Sequence, residues 1–285
     1  QEHAPCEVEL FLPNELKHFQ IATGLPSKSL VKGRFTLKGD NYDQLIDSPF
    51  ELAEQSRFSF EANGIPHEFV ISGQHNTNLE RLKTDIEKIC QTEINMFGSA
   101  PFQNYTFMTM ATGNSYGGLE HCNSTSLITP RDDLPKADEA EEPSKDYQRF
   151  LGLCSHEYFH SWLVKFIRPE NFANYDLQKE GYTSLLWIFE GFTSYYDDLI
   201  LLRSGVISQT SYLELLKAQI DRYLQNPGRA IQSVSESSFD AWIKFYRQDE
   251  NSNNAGTSYY NKGSLVALCL DLGLRLRGSS LDAVM

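Results

Sequence analysis

Between Lys145 and Trp162 the chain carries a helical pattern with chemistry written on it. Tyr147, Phe150, Leu151, Cys154, Tyr158 and Ser161-Trp162 form one stripe, and His156-Glu157-Tyr158-Phe159-His160 lies within it. On a helix, positions four apart sit one above the other, so His156 and His160 can point two imidazoles at one metal. At about 100° per residue the two histidines stand about 40° apart, roughly opposite the Phe150, Cys154 and Tyr158 stripe. The segment is therefore expected to pack one face on a core and turn the other to a cleft. Glu157, beside the pair, is placed to take a proton from metal-activated water. Cys154 points to the opposite face and is not counted as a ligand. The alternative is a pair of core or surface histidines that hold no metal.

A catalytic zinc takes three protein ligands and keeps one position for water. The candidate third ligand is Glu190, in Leu186-Trp-Ile-Phe-Glu-Gly-Phe-Thr193. It is a lone carboxylate in an apolar helical run, and a buried carboxylate needs a partner. Asp176 and Glu180 are rivals, but they lie in a polar loop where an acid needs no explanation. Asp197 follows Glu190 by about two turns and is a candidate acceptor that orients a zinc-bound histidine. Asp198 is equally placed for that task, and both read as well as a solvated pair. Thr193 is a weaker candidate.

The rest of the chain sorts by periodicity. Residues 6–12 and 34–38 alternate as strands, 42–49 reads as a connector, and 58–61 and 68–72 flank a turn at Asn63-Gly64. A helix is expected from Asn78 to Phe97 and a strand over 105–110, leading into Gly117-Gly118-Leu119-Glu120-His121. Residues 130–146 are rich in acids and prolines and are expected to be a solvated loop. Further helices are expected over 183–203, 211–224 and 262–277. Strands fall mainly in the first 120 residues and helices in the remainder, which is the α+β class. The first 48 residues are too short to close a β domain alone. They read as the C-terminal part of an N-terminal β-rich domain, with a second domain over 49–285.

Composition removes several classes of function. Against 25 Lys and Arg stand 38 Asp and Glu, a net charge of −13, so the basic field of a nucleic-acid binder is missing. No apolar run is long enough for a transmembrane helix. The five cysteines, Cys6, Cys90, Cys122, Cys154 and Cys269, are odd in number and have no C-x-x-C pair. They read as reduced thiols, which favours a cytoplasmic over a periplasmic setting. The chain starts at Gln1 without a Met and stops at Met285 straight after a helical pattern. It is expected to be a piece of a longer protein, truncated at the C-terminal end of its second domain.

The motifs together carry a resemblance. Gly117-Gly-Leu-Glu-His121, His156-Glu-Tyr-Phe-His160, Leu186-Trp-Ile-Phe-Glu-Gly-Phe-Thr193 and Ser258-Tyr-Tyr-Asn-Lys-Gly263 resemble the glycyl aminopeptidase family of gluzincin zinc metallopeptidases. The stretch from His160 to Glu190 holds 29 residues, 161 to 189, a longer gap than in aminopeptidase N-type and thermolysin-type enzymes. The resemblance implies a thermolysin-like catalytic domain, a small mixed sheet plus a helical subdomain, often followed by a PDZ domain. It implies one zinc ion on His156, His160 and Glu190, with Glu157 as general base. It makes Glu120 the carboxylate that grips a substrate's free α-amine from an edge strand, with His121 where other branches carry Asn. Gly117 and Gly118 then let a peptide backbone approach closely. Tyr260 becomes the donor to the oxyanion of the tetrahedral intermediate, with Tyr259 as the rival register.

The expectation is a zinc aminopeptidase that releases small N-terminal residues, glycine or alanine, from peptides with a free N-terminus. Three rivals remain: an endopeptidase on the same scaffold, a gluzincin epoxide hydrolase, and a non-catalytic zinc-stabilised binding module. No nucleophile elbow, P-loop or dinucleotide-binding glycine pattern supports other chemistry.

Overall fold

A computed structural model describes residues 3–173 and 175–285. The chain divides into two compact units. The first comprises residues 1–95 and 99–161, the second 96–98 and 162–285.

The first unit opens with β1 (Cys6–Phe11), β2 (Gln20–Thr23), β3 (Ser27–Val31) and β4 (Arg34–Gly39). Strands β1, β4 and β3 form a small antiparallel sheet. The expected connector at 42–49 contains a short helix, α1 (Tyr42–Ile46), capped by the Asn41 side chain. Next come β5 (Phe50–Ala53), which pairs with β2, then β6 (Gln55–Ala62) and β7 (Ile65–Ser72). The last two form a hairpin longer than the sequence suggests, closed by Asn63 and Gly64, both at positive φ. Helix α2 (Leu79–Phe97), strand β8 (Tyr105–Thr112), strands β9 (Gly117–Glu120) and β10 (Ser124–Pro130), and helix α3 (Lys145–Phe159) follow.

The main sheet has the order β6-β7-β8-β10-β9. Its centre is parallel, β7 to β8 and β8 to β10, and both margins are antiparallel. Strands buried on both faces lose the alternating pattern and become continuous apolar runs, as in Phe69-Val70-Ile71 and Tyr105 to Met108. Val70 and Met108 meet Ala22 of β2 on one face. Phe69 and Tyr105 meet Phe150 and Tyr158 of α3 edge to face on the other, where Phe107 stacks on Tyr158. The Tyr158 hydroxyl lies 2.8 Å from Nε2 of the buried His67, whose Nδ1 reaches the Ile65 carbonyl.

Helix α3 also meets α2. There the Tyr147 hydroxyl donates to Asp85 at 3.0 Å and the Ser155 hydroxyl to Glu93 at 2.9 Å. Helix α3 is thus buried nearly all round, rather than divided into a core face and an open face. The acidic loop 130–146 is also less solvated than its composition implies. Asp133 is buried at its start, and Arg81 donates to the carbonyls of Ala140 and Glu141.

The second unit contains α4 (Glu170–Ala173), α5 (Leu186–Arg203), α6 (Gln209–Gln225), α7 (Val234–Phe239), a π turn at Ala241–Phe245, α8 (Ser252–Ala255) and α9 (Tyr259–Arg275). Helix α5 starts three residues later than Thr183, whose hydroxyl caps the Leu185 N–H. Helix α9 starts earlier than expected, so Tyr259 and Tyr260 form its first turn, capped by Ser258. Helices α5 and α9 cross where two glycines face each other. A Cβ on Gly191 would stand 2.6 Å from the Gly263 Cα, and one on Gly263 2.6 Å from the Trp187 carbonyl oxygen. Such an approach is open only to residues without a side chain.

No described helix is long and apolar enough to cross a membrane. All five cysteines are free thiols.

Candidate functional site

In the first unit the site is built by the end of α3 and by the sheet margin. His156, Glu157 and His160 fall on the last turn, with His160 as the C-cap still in helical dihedrals. The two histidine Nε2 atoms come within 3.1 Å of each other. Zinc–nitrogen bonds of 2.0–2.1 Å at a tetrahedral angle place two ligand nitrogens about 3.3 Å apart. The imidazole pair therefore fits one metal ion. His160 and Glu157 are buried and His156 is half-buried.

Strand β9 is the edge of the main sheet and pairs with β10 alone among the described strands. Gly118 faces Leu127 and Glu120 faces Thr125 across β10, so Gly118 and Glu120 point to one face of the sheet. That face meets α3. The carboxylates of Glu120 and Glu157 and a ring nitrogen of His160 offer ligand atoms all within 4.8 Å of one another.

Gly118 has a tighter reason to be glycine than approach of a peptide. A Cβ there would fall on the Glu157 carboxylate. At Gly117 a Cβ would meet only Ile128, at 3.9 Å. The end of β9 is pinned from α1: Asp47 accepts the Cys122 N–H at 2.8 Å and lies 3.4 Å from Nδ1 of His121. His121 thus lies beside Asp47, a neighbour that its position after Glu120 does not reveal.

In the second unit Glu190 is half-buried on α5, next to the Gly191–Gly263 crossing. The close crossing sets the first turn of α9 near Glu190. Burial and then the Glu190 charge push the Tyr260 hydroxyl far above the ordinary phenol range. The same causes act on Tyr259, but there Glu190 ranks behind Tyr246. Tyr260 is thus held as a neutral O–H donor beside a carboxylate, while Tyr259 is fully buried.

Lys262 of the same motif donates to the carbonyls of Arg229 and Gln232, both at 2.8 Å. It anchors α9 to the segment before it, and burial lowers its pKa.

Of the remaining candidates, Asp197 accepts the Asp198 N–H at 2.6 Å. Asp198 is tied to α6 by the Gln219 amide at 2.9 Å. Thr193 donates to the Phe189 carbonyl within its own helix. Asp176 and Glu180 are exposed; Asp176 accepts the Gln178 N–H and pairs with Lys179.

Known proteins resemble the chain at both ends. Residues 1–54 match the model of the peptidase M61 N-terminal domain, and residues 149–266 match that of the M61 glycyl aminopeptidase. The crystal structure of an aminopeptidase N family protein from Idiomarina loihiensis is 48% identical with a TM-score of 0.96; the match covers 100% of this chain and 49% of that one. The chain thus spans about half the length of that relative. The M1 zinc metallopeptidase from Deinococcus radiodurans matches with a TM-score of 0.57 at 13% identity, over 95% of this chain and 52% of its own. At that identity the likeness is one of fold, and it agrees with an α+β, thermolysin-like architecture. No curated protein sequence matches. The two family models and the near-complete structural match lead to one assignment: the chain belongs to the M61 glycyl aminopeptidase family.

Proposed function

We propose that the protein is a zinc-dependent aminopeptidase acting on peptides with a free N-terminus, with a preference for a small first residue. The observation that carries the reading is the last turn of α3: two histidine nitrogens 3.1 Å apart, with the carboxylates of Glu157 and Glu120 gathered about His160. His156, His160 and Glu190 are the proposed ligands of one zinc ion, two imidazoles and a carboxylate being a donor set zinc favours. When bound, the ion supplies Lewis acidity toward the scissile carbonyl and lowers the pKa of a water.

The chain's own groups do the rest. Glu157 takes the proton of the attacking water and passes it to the leaving amine. Tyr260, kept protonated, donates its hydroxyl hydrogen to the oxygen that gains negative charge. Edge strand β9, which among the described strands pairs with β10 alone, offers its outer edge to an extended peptide. The Glu120 carboxylate at its end binds the ammonium and so counts residues from the N-terminus. Asp197 is the proposed acceptor for the second ring N–H of a ligand histidine.

The test compares an alanyl or glycyl chromogenic amide with its N-acetylated twin, using the zinc-loaded full-length protein. Release from the free-amine substrate alone is the expected result. Equal release from both would make the protein an endopeptidase and remove the role given to Glu120. In the same assay Glu190→Ala should lose its zinc. Stoichiometric metal in that variant would mean another residue is the third ligand.

A further inference from the structure

The π turn before α9 ends in a residue that the proposed chemistry does not yet use. Tyr246 closes it by donating its backbone N–H to the Ala241 carbonyl at 3.1 Å, five residues back. Such wide turns are rare and recur at functional sites. This one is held in place by its neighbours: the Trp242 indole N–H donates to the Gly181 carbonyl, and Lys244 pairs with Asp240. It delivers the Tyr246 hydroxyl to 3.2 Å from that of Tyr259 and 3.3 Å from that of Tyr260. The rings of Tyr259 and Tyr260 stack on each other at 4.7 Å, and Phe245 packs against both. Three phenol hydroxyls therefore meet at Tyr246, although its own ring is largely exposed.

We propose that Tyr246 is a positioning residue that sets the direction of the Tyr260 hydroxyl. Each phenol has one proton to give and can accept in return. Tyr259, fully buried, donates to Tyr246. Tyr246 then has its single proton for Tyr260. Tyr260, accepting on that side, keeps its own proton for the oxyanion. The order Tyr259 to Tyr246 to Tyr260 is a chain of aligned hydroxyl dipoles, in which each bond polarises the next. Without Tyr246 the Tyr260 hydroxyl rotor loses its fixed direction while its ring remains packed.

The inference rests on the oxyanion role given to Tyr260, so the test includes that residue. In the full-length zinc-loaded protein, Tyr246→Phe, Tyr260→Phe and the double variant are assayed for kcat and KM on the free-amine amide. Inhibition by a phosphinic dipeptide, a mimic of the tetrahedral intermediate, is measured in parallel. Removing one oriented hydrogen bond should lower kcat about tenfold in Tyr246→Phe. KM should stay unchanged, and the phosphinate should weaken by the same factor. The double variant should be no slower than Tyr260→Phe alone, because Tyr246 acts through Tyr260. Unchanged kcat in Tyr246→Phe, or losses that add in the double variant, would overturn the positioning role while leaving the aminopeptidase reading intact. A Tyr260→Phe enzyme as fast as the parent would overturn both this inference and the oxyanion assignment. Unaltered zinc content and melting temperature of Tyr246→Phe show that the effect is not one of folding.

Discussion

Gly118 and Glu157 share a space that admits one of them with a side chain. Strand β9 passes so close to the last turn of α3 that a methyl group at Gly118 would overlap the Glu157 carboxylate. The carboxylate, at the end of three rotatable bonds, is what would move. Gly118→Ala should therefore act as a catalytic lesion with the metal ligands intact. Displacing a proton acceptor by about 1 Å costs on the order of 100-fold in rate, so turnover should fall by at least that factor with zinc retained. Gly117→Ala, whose Cβ meets only Ile128 at 3.9 Å, should stay within a few-fold of the parent. Glu157→Gln provides the reference, with zinc kept and turnover nearly abolished. Kinetics and metal analysis on the three variants check the reading. Equal activity of the two alanine variants would mean that Glu157 does not act from the position it occupies here.

At the scale of elements the second unit depends on the crossing of α5 and α9. Gly191 and Gly263 let the helices touch backbone to backbone, and the motif residues lie beside the contact: Glu190 adjoins Gly191, and Tyr260 lies one turn before Gly263. Gly191→Ala and Gly263→Ala should each force the helices apart and destabilise the unit by about 1–3 kcal/mol, the usual cost of overpacking. They relieve the same contact once it is broken, so the double variant should lose less than the sum. Urea unfolding of the three variants measures this; additive losses would mean that the two glycines serve separate contacts. The crossing also shows where sequence reading succeeds and where it stops. Helices α2, α3, α5 and α6 are legible because their apolar residues recur at helical spacing. The H-E-x-x-H pair is legible because its geometry is local to one turn. Strand β3 is not, because all five of its residues are exposed and nothing alternates. Strand β10 carries no signal because its run, Ser124-Thr-Ser-Leu-Ile-Thr-Pro130, is rich in Ser and Thr and lacks apolar alternation although much of it is buried. The π turn has no periodicity to read, so nothing in the sequence marks Tyr246, and the reasons for Gly118, Gly191 and Gly263 arise only when remote segments meet.

At the scale of the whole molecule, stability should respond to pH through a buried residue to which the proposed chemistry gives no role. His67 lies under α3 with both ring nitrogens engaged, and burial lowers its pKa from 6.5 to about 4. The unfolded chain therefore binds a proton near pH 6.5 that the folded chain refuses until about pH 4. A depressed folded-state value means that the contribution is fully present above the unfolded pKa and is lost as pH falls through this window. The contribution is up to about 3 kcal/mol. Other groups titrate over the same range in a chain with 38 acidic residues, so the wild-type pH profile alone cannot isolate His67. His67→Gln can, because it keeps a polar partner for the Tyr158 hydroxyl and has no proton to gain. Urea unfolding at about pH 7 and about pH 5 should show the parent losing more stability on acidification than His67→Gln. The difference between the two slopes is the His67 contribution. Parallel slopes would mean that the ring is protonated in the fold, and the hydrogen bond from Tyr158 would then have to run the other way, from imidazolium to phenol oxygen.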